Sequence, residues 1–219
     1  MPFKSLQPDI VLPKDLTIPD FLFTSRTYSP LHKNSPSELA GYTNAITKER
    51  LSWSDVHTTV THLSTALSKH YNLQPGDTVA LFSQNTIWYP VAMLATLRIG
   101  GIVSGASPAY NVEEMTYALK TSGAKFLMTH PGSMQVAIEA AKNAGIAKDR
   151  LFLLEGTLEG FKPIKELIAL GKQERAQVPS VGIPQGKSNG EVCAFLSFSS
   201  GTTGLPKAVM CVTIFISLI

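Results

Sequence analysis

The chain has 219 residues, 44% of them hydrophobic and 16% charged, with a formal net charge of +3. That length and composition suffice for a sizeable core in one or two domains. The basic residues form no block, which argues against a nucleic-acid partner, and no apolar run reaches the roughly 18 residues that span a bilayer. Cys193 and Cys211 both sit in apolar, strand-like runs and read as buried thiols of a reducing compartment. Met1-Pro2-Phe3-Lys4 leads into a proline-interrupted segment rather than a secretory leader, so an intracellular location is expected.

The first element with a clear signature is a helix opened by a Ser52/Asp55 capping box, with Trp53, Val56, Val60, Leu63 and Leu67 along one face. A turn at Gln74-Pro75-Gly76-Asp77 leads into a strand over 78–83. Pro90 lies early enough in the next helix to be tolerated, and Gly100-Gly101 ends it. A short strand over 102–104 precedes a third helix, capped by Asn111 with Glu114 and closed by Gly123. Apolar runs at 126–129 and 151–154 have strand length and flank an alanine-rich helix over 134–143. Pro163 opens a last helix that ends at Gly171. Alternating strands and helices specify an α/β fold, a mostly parallel sheet flanked by helices. The expected division is an α/β subdomain over 1–171, a polar linker over 172–190 punctuated by Gly182, Pro184, Gly186 and Gly190, and the start of a further subdomain over 191–219.

An apolar run over 192–198 reads as a strand, and Ser199-Ser200-Gly201-Thr202-Thr203-Gly204-Leu205-Pro206-Lys207 follows it directly. This composition suits a polyphosphate: backbone N–H groups line a concave turn, hydroxyls donate, and one cation meets the remaining charge. Glycine admits a close backbone approach without a side-chain clash. The pattern that places Gly-Lys-Ser/Thr at the mouth of a helix is absent. Lys207 instead follows Pro206 and precedes Ala208-Val209-Met210, so a strand–loop–strand unit is expected. A plain Ser/Gly-rich surface loop is the competing reading, and nine consecutive fitting positions behind an apolar strand argue against it.

Ser199 to Lys207, together with Val209, resembles the phosphate-binding signature of the adenylate-forming (AMP-binding) superfamily, to which acyl-CoA synthetases and 4-coumarate–CoA ligases belong. Upstream segments are similar to the same family: Leu6 to Leu16 with its Pro8-Asp9-Ile10, Gly76-Asp77-Thr78-Val79-Ala80 with Ser83-Gln84-Asn85, Ile99-Gly100-Gly101-Ile102-Val103, and Ser107-Pro108-Ala109-Tyr110. The resemblance runs from about residue 6 to 210 and concerns only the first portion of the family. It implies ATP-dependent adenylation of an acyl or aryl carboxylic acid, thioester formation with CoA, and Mg2+ accompanying the nucleotide. By the same resemblance Ser199, Ser200, Thr202 and Thr203 donate to the phosphates, Gly201 and Gly204 allow their approach, and Lys207 supplies a point charge for the departing pyrophosphate.

The family's adenine and ribose segments, its hinge and its C-terminal domain with the catalytic lysine have no counterpart. Resemblance stops after Met210, and residues 211–219 read CVTIFISLI. A truncated product without catalytic competence of its own is therefore expected, with no catalytic residue assigned; a nucleotide-binding remnant or an interaction module are the alternatives. The tail is uncharged, β-branched and proline-free, the composition of an aggregation-prone strand. Ser217-Leu218-Ile219 lacks the basic middle residue of the peroxisomal address, which favours the cytoplasm. Ala208 stands where the family usually has glycine. If that position needs a left-handed φ, alanine strains it by on the order of 1 kcal/mol; if it is extended, alanine is harmless.

Other polar residues read as structural. His57 and His62 lie about 140° apart around a helix and make no metal pair. His32, His70 and His130 have no partners at ligand spacing, so no metal site is expected. Glu113 and Glu114 open a helix, where acidic groups complement the dipole. Trp88, Tyr89 and Met93 read as core rather than as a substrate pocket.

Overall fold

The computed structural model describes residues 12–36, 38–199 and 205–216. Its N-terminal portion holds a π-helical turn, Asp20–Thr24, and a short helix, α1 (Pro30–Lys33), started by a proline in its first turn and by Ser29, whose hydroxyl accepts from the Leu31 N–H. A two-stranded antiparallel ribbon follows, β1 (Gly41–Thr43) and β2 (Arg50–Ser52). Ser52 ends that ribbon and caps α2 (Trp53–Tyr71): its side chain accepts from the Asp55 N–H while the Asp55 carboxylate accepts from the Ser52 N–H. Val56, Val60, Leu63 and Leu67 of α2 are fully buried, as the helical spacing requires. Asn72, in the left-handed region at φ 56°, terminates the helix.

The chain then winds a sheet: β3 (Thr78–Phe82), α3 (Tyr89–Arg98), β4 (Ile102–Ala106), α4 (Val112–Ser122), β5 (Ala124–Thr129), α5 (Met134–Ala144), β6 (Leu151–Leu153), β7 (Lys162–Pro163), α6 (Ile164–Gln173), β8 (Cys193–Ser199), β9 (Lys207–Val212) and a single turn, α7 (Thr213–Ile216). The strand order is β7-β6-β5-β3-β4-β8-β9. Every neighbouring pair is parallel except β8 and β9, which are antiparallel. An α/β sheet of mostly parallel strands flanked by helices is thus what the alternating pattern produces.

Two cores sandwich the sheet, and the period-2 geometry of a strand divides residues between them. Val79 and Leu81 of β3 join α2, α3 and α6 on one face. Ala80 and Phe82 join Met115 and Leu119 of α4 and the alanines of α5 on the other. The whole of β3 is buried, the condition in which a parallel strand reads as continuously apolar. Strand β4 runs two residues past the expected 102–104 and β5 starts two residues before the expected 126–129, because backbone pairing extends beyond the apolar runs.

Gly171 does not end the last helix. It lies inside α6, and a Cβ there would sit 1.8 Å from the backbone carbonyl oxygen of His62 and 2.7 Å from the carbonyl carbon. The glycine is a contact point at which α6 presses against the backbone of α2, a reason for glycine that local sequence does not separate from a helix stop. Residues 174–192 run without a strand back to the sheet and are held against the body: Val178 donates to Thr65 Oγ1, Val181 N–H to the Arg98 carbonyl, and Asn189 Nδ2 to the Pro13 carbonyl. This return path brings β8 alongside β4, so β8 and β9 belong to the same sheet as β3 to β7.

Candidate functional site

In a parallel sheet all carboxyl ends emerge at one edge, the place where open α/β folds bind ligands. Gln84-Asn85 follow β3, Ser107-Pro108 follow β4, His130 follows β5, and Ser199 is the last residue of β8. Of the segments singled out in the sequence, 83–85, 107–110 and the start of 199–207 thereby meet at this edge, although more than 100 residues separate the first from the last. Gly76-Asp77 and Gly100-Gly101 lie instead at the amino ends of β3 and β4. Ser199 pairs directly with Lys207, and Phe198 with Ala208, in the antiparallel β8–β9 ladder. The expected strand–loop–strand unit is present, and residues 200–206 join two adjacent strand ends. Ser200, Gly201, Thr202, Thr203 and Gly204 lie outside the described residues.

Lys207 is exposed at the start of β9. Among the described residues no carboxylate or other acceptor holds its ammonium group. An exposed ammonium group of this kind is a compact point charge that suits an anionic partner. Ala208 lies within β9 opposite Phe198, and its φ is not positive. This backbone is extended, so alanine brings no strain and glycine is not required there.

The descending stem of the loop is tied to a helix. Tyr117 of α4 donates its hydroxyl to the Pro206 carbonyl at 3.0 Å, across 89 residues of sequence. Its ring borders a cavity of about 220 Å³ shared with Tyr110, Phe198, Leu205 and Pro206. No local pattern announces this contact, because it depends on where α4 meets the hairpin.

A larger cavity, about 720 Å³, opens at the same edge beneath the β1–β2 ribbon and its turn. Asn44, Asn85, Tyr89, His130 and Glu155 contribute polar groups to it. Asn44 Nδ2 donates to Glu155 Oε1 at 3.3 Å, fastening the turn to the end of β6. The core assignment of Trp88, Tyr89 and Met93 therefore needs one amendment. Trp88 is buried and Met93 packs on the core, whereas Tyr89 packs on the core and also lines this cavity. Burial holds its phenol above its ordinary pKa, so it remains a protonated donor.

The remaining titratable groups behave as parts of the scaffold. His57 stacks on Phe23 at 4.9 Å, and burial, then Arg98 and His32, keep it below the usual imidazole pKa. His130 Nδ1 accepts from the Gly132 N–H. Glu114 completes a capping box with Asn111, and Gly123 closes α4 at φ 61°. The cysteines are free and half-buried rather than fully buried, since β8 and β9 form the margin of the sheet. Burial, and then the neighbouring Cys211, raise the Cys193 thiol above its ordinary pKa.

Comparison with known proteins agrees with this geometry. Residues 34–213 match the family model described as AMP-binding enzyme. The chain is 34% identical over 166 residues to the acyl-CoA ligase AzaF of Aspergillus niger, covering 74% of this chain and 31% of that relative. It is 29% identical over 208 residues to 4-coumarate–CoA ligase 5 of Oryza sativa subsp. japonica, covering 95% of this chain and 35% of the relative. The chain thus spans about a third of the length of the curated relatives it matches. Among solved structures, a red-emitting luciferase from Phrixothrix hirtus superimposes with a TM-score of 0.79 at 23% identity, over 96% of this chain and 38% of that one. An anthranilate CoA ligase in complex with anthranoyl-AMP gives 0.73 at 21% identity, over 94% of this chain and 36% of that one. At such identities the structural likeness speaks for the fold.

Proposed function

Because the chain belongs to the AMP-binding enzyme family, we propose that it corresponds to the N-terminal third of an ATP-dependent acyl- or aryl-acid–CoA ligase and supplies that enzyme's phosphate-binding loop. The observation that carries this reading is the β8–β9 hairpin at the carboxyl edge of the sheet, with Ser199 opposite Lys207, whose ammonium group no described residue holds. In the complete reaction a carboxylate joins the α-phosphate of ATP as pyrophosphate leaves, and the CoA thiol then takes the acyl group as AMP leaves. Donors fixed around the departing phosphates stabilise the charge that develops there.

The roles follow the chemistry of each side chain. Ser199, Ser200, Thr202 and Thr203 donate hydrogen bonds, Gly201 and Gly204 admit the phosphates, and Lys207 balances their charge. Mg2+ would be carried by the nucleotide rather than by residues 199–207, which include no carboxylate, and would add to the positive charge that Lys207 offers the phosphates. The division at 172–190 belongs to the same proposal, with residues 191–219 starting a unit that the longer relatives complete. Adenylation and thioester transfer are assigned to the assembled ligase; this chain alone binds phosphate without completing them. No helix among the described residues is long and apolar enough to cross a membrane, and a cytoplasmic setting is proposed.

Calorimetric titration with Mg·ATP and with Mg·pyrophosphate tests the reading. The chain is expected to bind both, and Lys207→Ala to weaken each about tenfold or more while leaving stability within about 0.5 kcal/mol, since the lysine is solvated and its hydrogen bond is charge-assisted. Absence of binding at millimolar ATP defeats the proposal. Acyl-CoA formation by this chain alone, abolished by Lys207→Ala, defeats the assignment of catalysis to the assembled enzyme. A second reading, an interaction module, draws on the exposed Leu205, Val209 and Met210 beside the free edge of β9. It requires concentration-dependent association insensitive to Lys207→Ala.

A further inference from the structure

Tyr117 stands outside the phosphate-binding motif, 82 residues before its first member at Ser199. The helix carrying it is firmly placed. α4 has a reciprocal cap at Asn111 and Glu114 and a left-handed glycine at its end, and Met115, Ala118, Leu119 and Ser122 are buried against the sheet. From this base the Tyr117 hydroxyl reaches the Pro206 carbonyl at 3.0 Å. Pro206 immediately precedes Lys207, the residue that pairs with Ser199. Holding the 206 carbonyl fixes the peptide plane joining Pro206 to Lys207, because that plane is rigid. The plane in turn sets the direction in which the lysine side chain leaves β9. Tyr117 lines one cavity with Phe198, Leu205 and Pro206, so both stems of the loop border the space that this tyrosine borders.

We propose that Tyr117 is a positioning residue for the phosphate-binding loop: its hydroxyl anchors the Pro206 carbonyl and so aims Lys207 at the phosphates of the nucleotide. This inference rests on the phosphate-binding reading given above. It adds a residue on a separate helix, and it treats the loop as tethered to α4 rather than held by its own hairpin alone. Tyr117→Phe is the informative change, since it keeps the ring in its cavity and deletes only the hydrogen bond.

Two measurements on the 219-residue chain decide the matter. Hydrogen exchange should show faster exchange at residues 205–208 in Tyr117→Phe, with the amides of β3 and α2 unchanged. Calorimetry should show Mg·ATP and Mg·pyrophosphate both weakened about fivefold, the size expected for one neutral hydrogen bond. In a Lys207→Ala background the same change should add nothing, because a residue acting through Lys207 loses its effect once Lys207 is gone. A purely structural tyrosine would not produce that non-additivity. Unchanged exchange at 205–208 overturns the anchor, and additive losses in the double variant overturn the aiming of Lys207. If the unaltered chain binds neither phosphate ligand, the proposed function falls and the aiming of Lys207 falls with it. Faster exchange in Tyr117→Phe would then leave the anchor standing as a feature of the fold.

Discussion

Strands β3 and β9 are both short and mostly apolar, yet all five residues of β3 are buried and none of the six in β9 is. β3 lies at the middle of the sheet with helices on each face, whereas β9 is the last strand, and among the described residues no strand pairs with its outer edge. Met210 is 72% exposed although methionine is a core residue elsewhere in the chain, as at Met115 and Met128. Burial is thus a property of neighbours rather than of side chains. The half of the sheet around β3 holds itself together. The β8–β9 hairpin leans on β4 and α4 and leaves Leu205 and Lys207 exposed.

If this contrast is right, truncating a phenylalanine in each half should give very different results. Phe82→Ala, in the buried half, is expected to lower stability by about 3–5 kcal/mol, while Phe198→Ala, in the half-buried hairpin, should cost about 1 kcal/mol. Urea unfolding measures both, and equal losses would merge the two regions into one cooperative core. Gly171→Ala should come next, at about 1–3 kcal/mol, since a methyl group must force α6 away from the His62 carbonyl. A negligible effect there would mean that the helices separate freely.

The cap of α2 sharpens the comparison on the buried side. Ser52→Ala should cost about 1 kcal/mol by removing the acceptor for the Asp55 N–H. The Ser52 hydroxyl, and then its N–H, hold the Asp55 carboxyl below its ordinary pKa. A group depressed in the folded state stabilises above its unfolded pKa and loses that contribution as pH falls through the folded value. The stability gap between the native chain and Asp55→Asn should therefore be widest near neutrality and close in acid. The smallest expected effect is in the hairpin. Ala208→Gly should destabilise by about 0.5–1 kcal/mol, because extended backbone gains nothing from glycine. Stabilisation by that change would contradict the extended conformation.

Much of the fold was legible because its cues are local. The Ser52/Asp55 and Asn111/Glu114 boxes, the left-handed stop at Gly123 and the apolar runs of β3, β5 and β6 each depend on residues within a turn or a strand of one another. Gly171 was misleading because a glycine that stops a helix and one that admits a neighbouring backbone look alike in one dimension. Tyr89 was read as core from its apolar neighbours, while its place on a cavity depends on the ribbon folding over the sheet edge. Within the candidate site Lys207 and Ser199 were marked by composition. Tyr117 was not, since its partner lies 89 residues away.

Sequence by itself determined the α/β class and the two strands that flank residues 200–204, because periodicity, caps and residue type act over short range. Tertiary structure alone decided that β8 returns to lie beside β4, that Ala208 is extended, and that α4 holds the stem leading to Lys207. Those outcomes depend on which distant surfaces meet, and no local preference encodes that meeting.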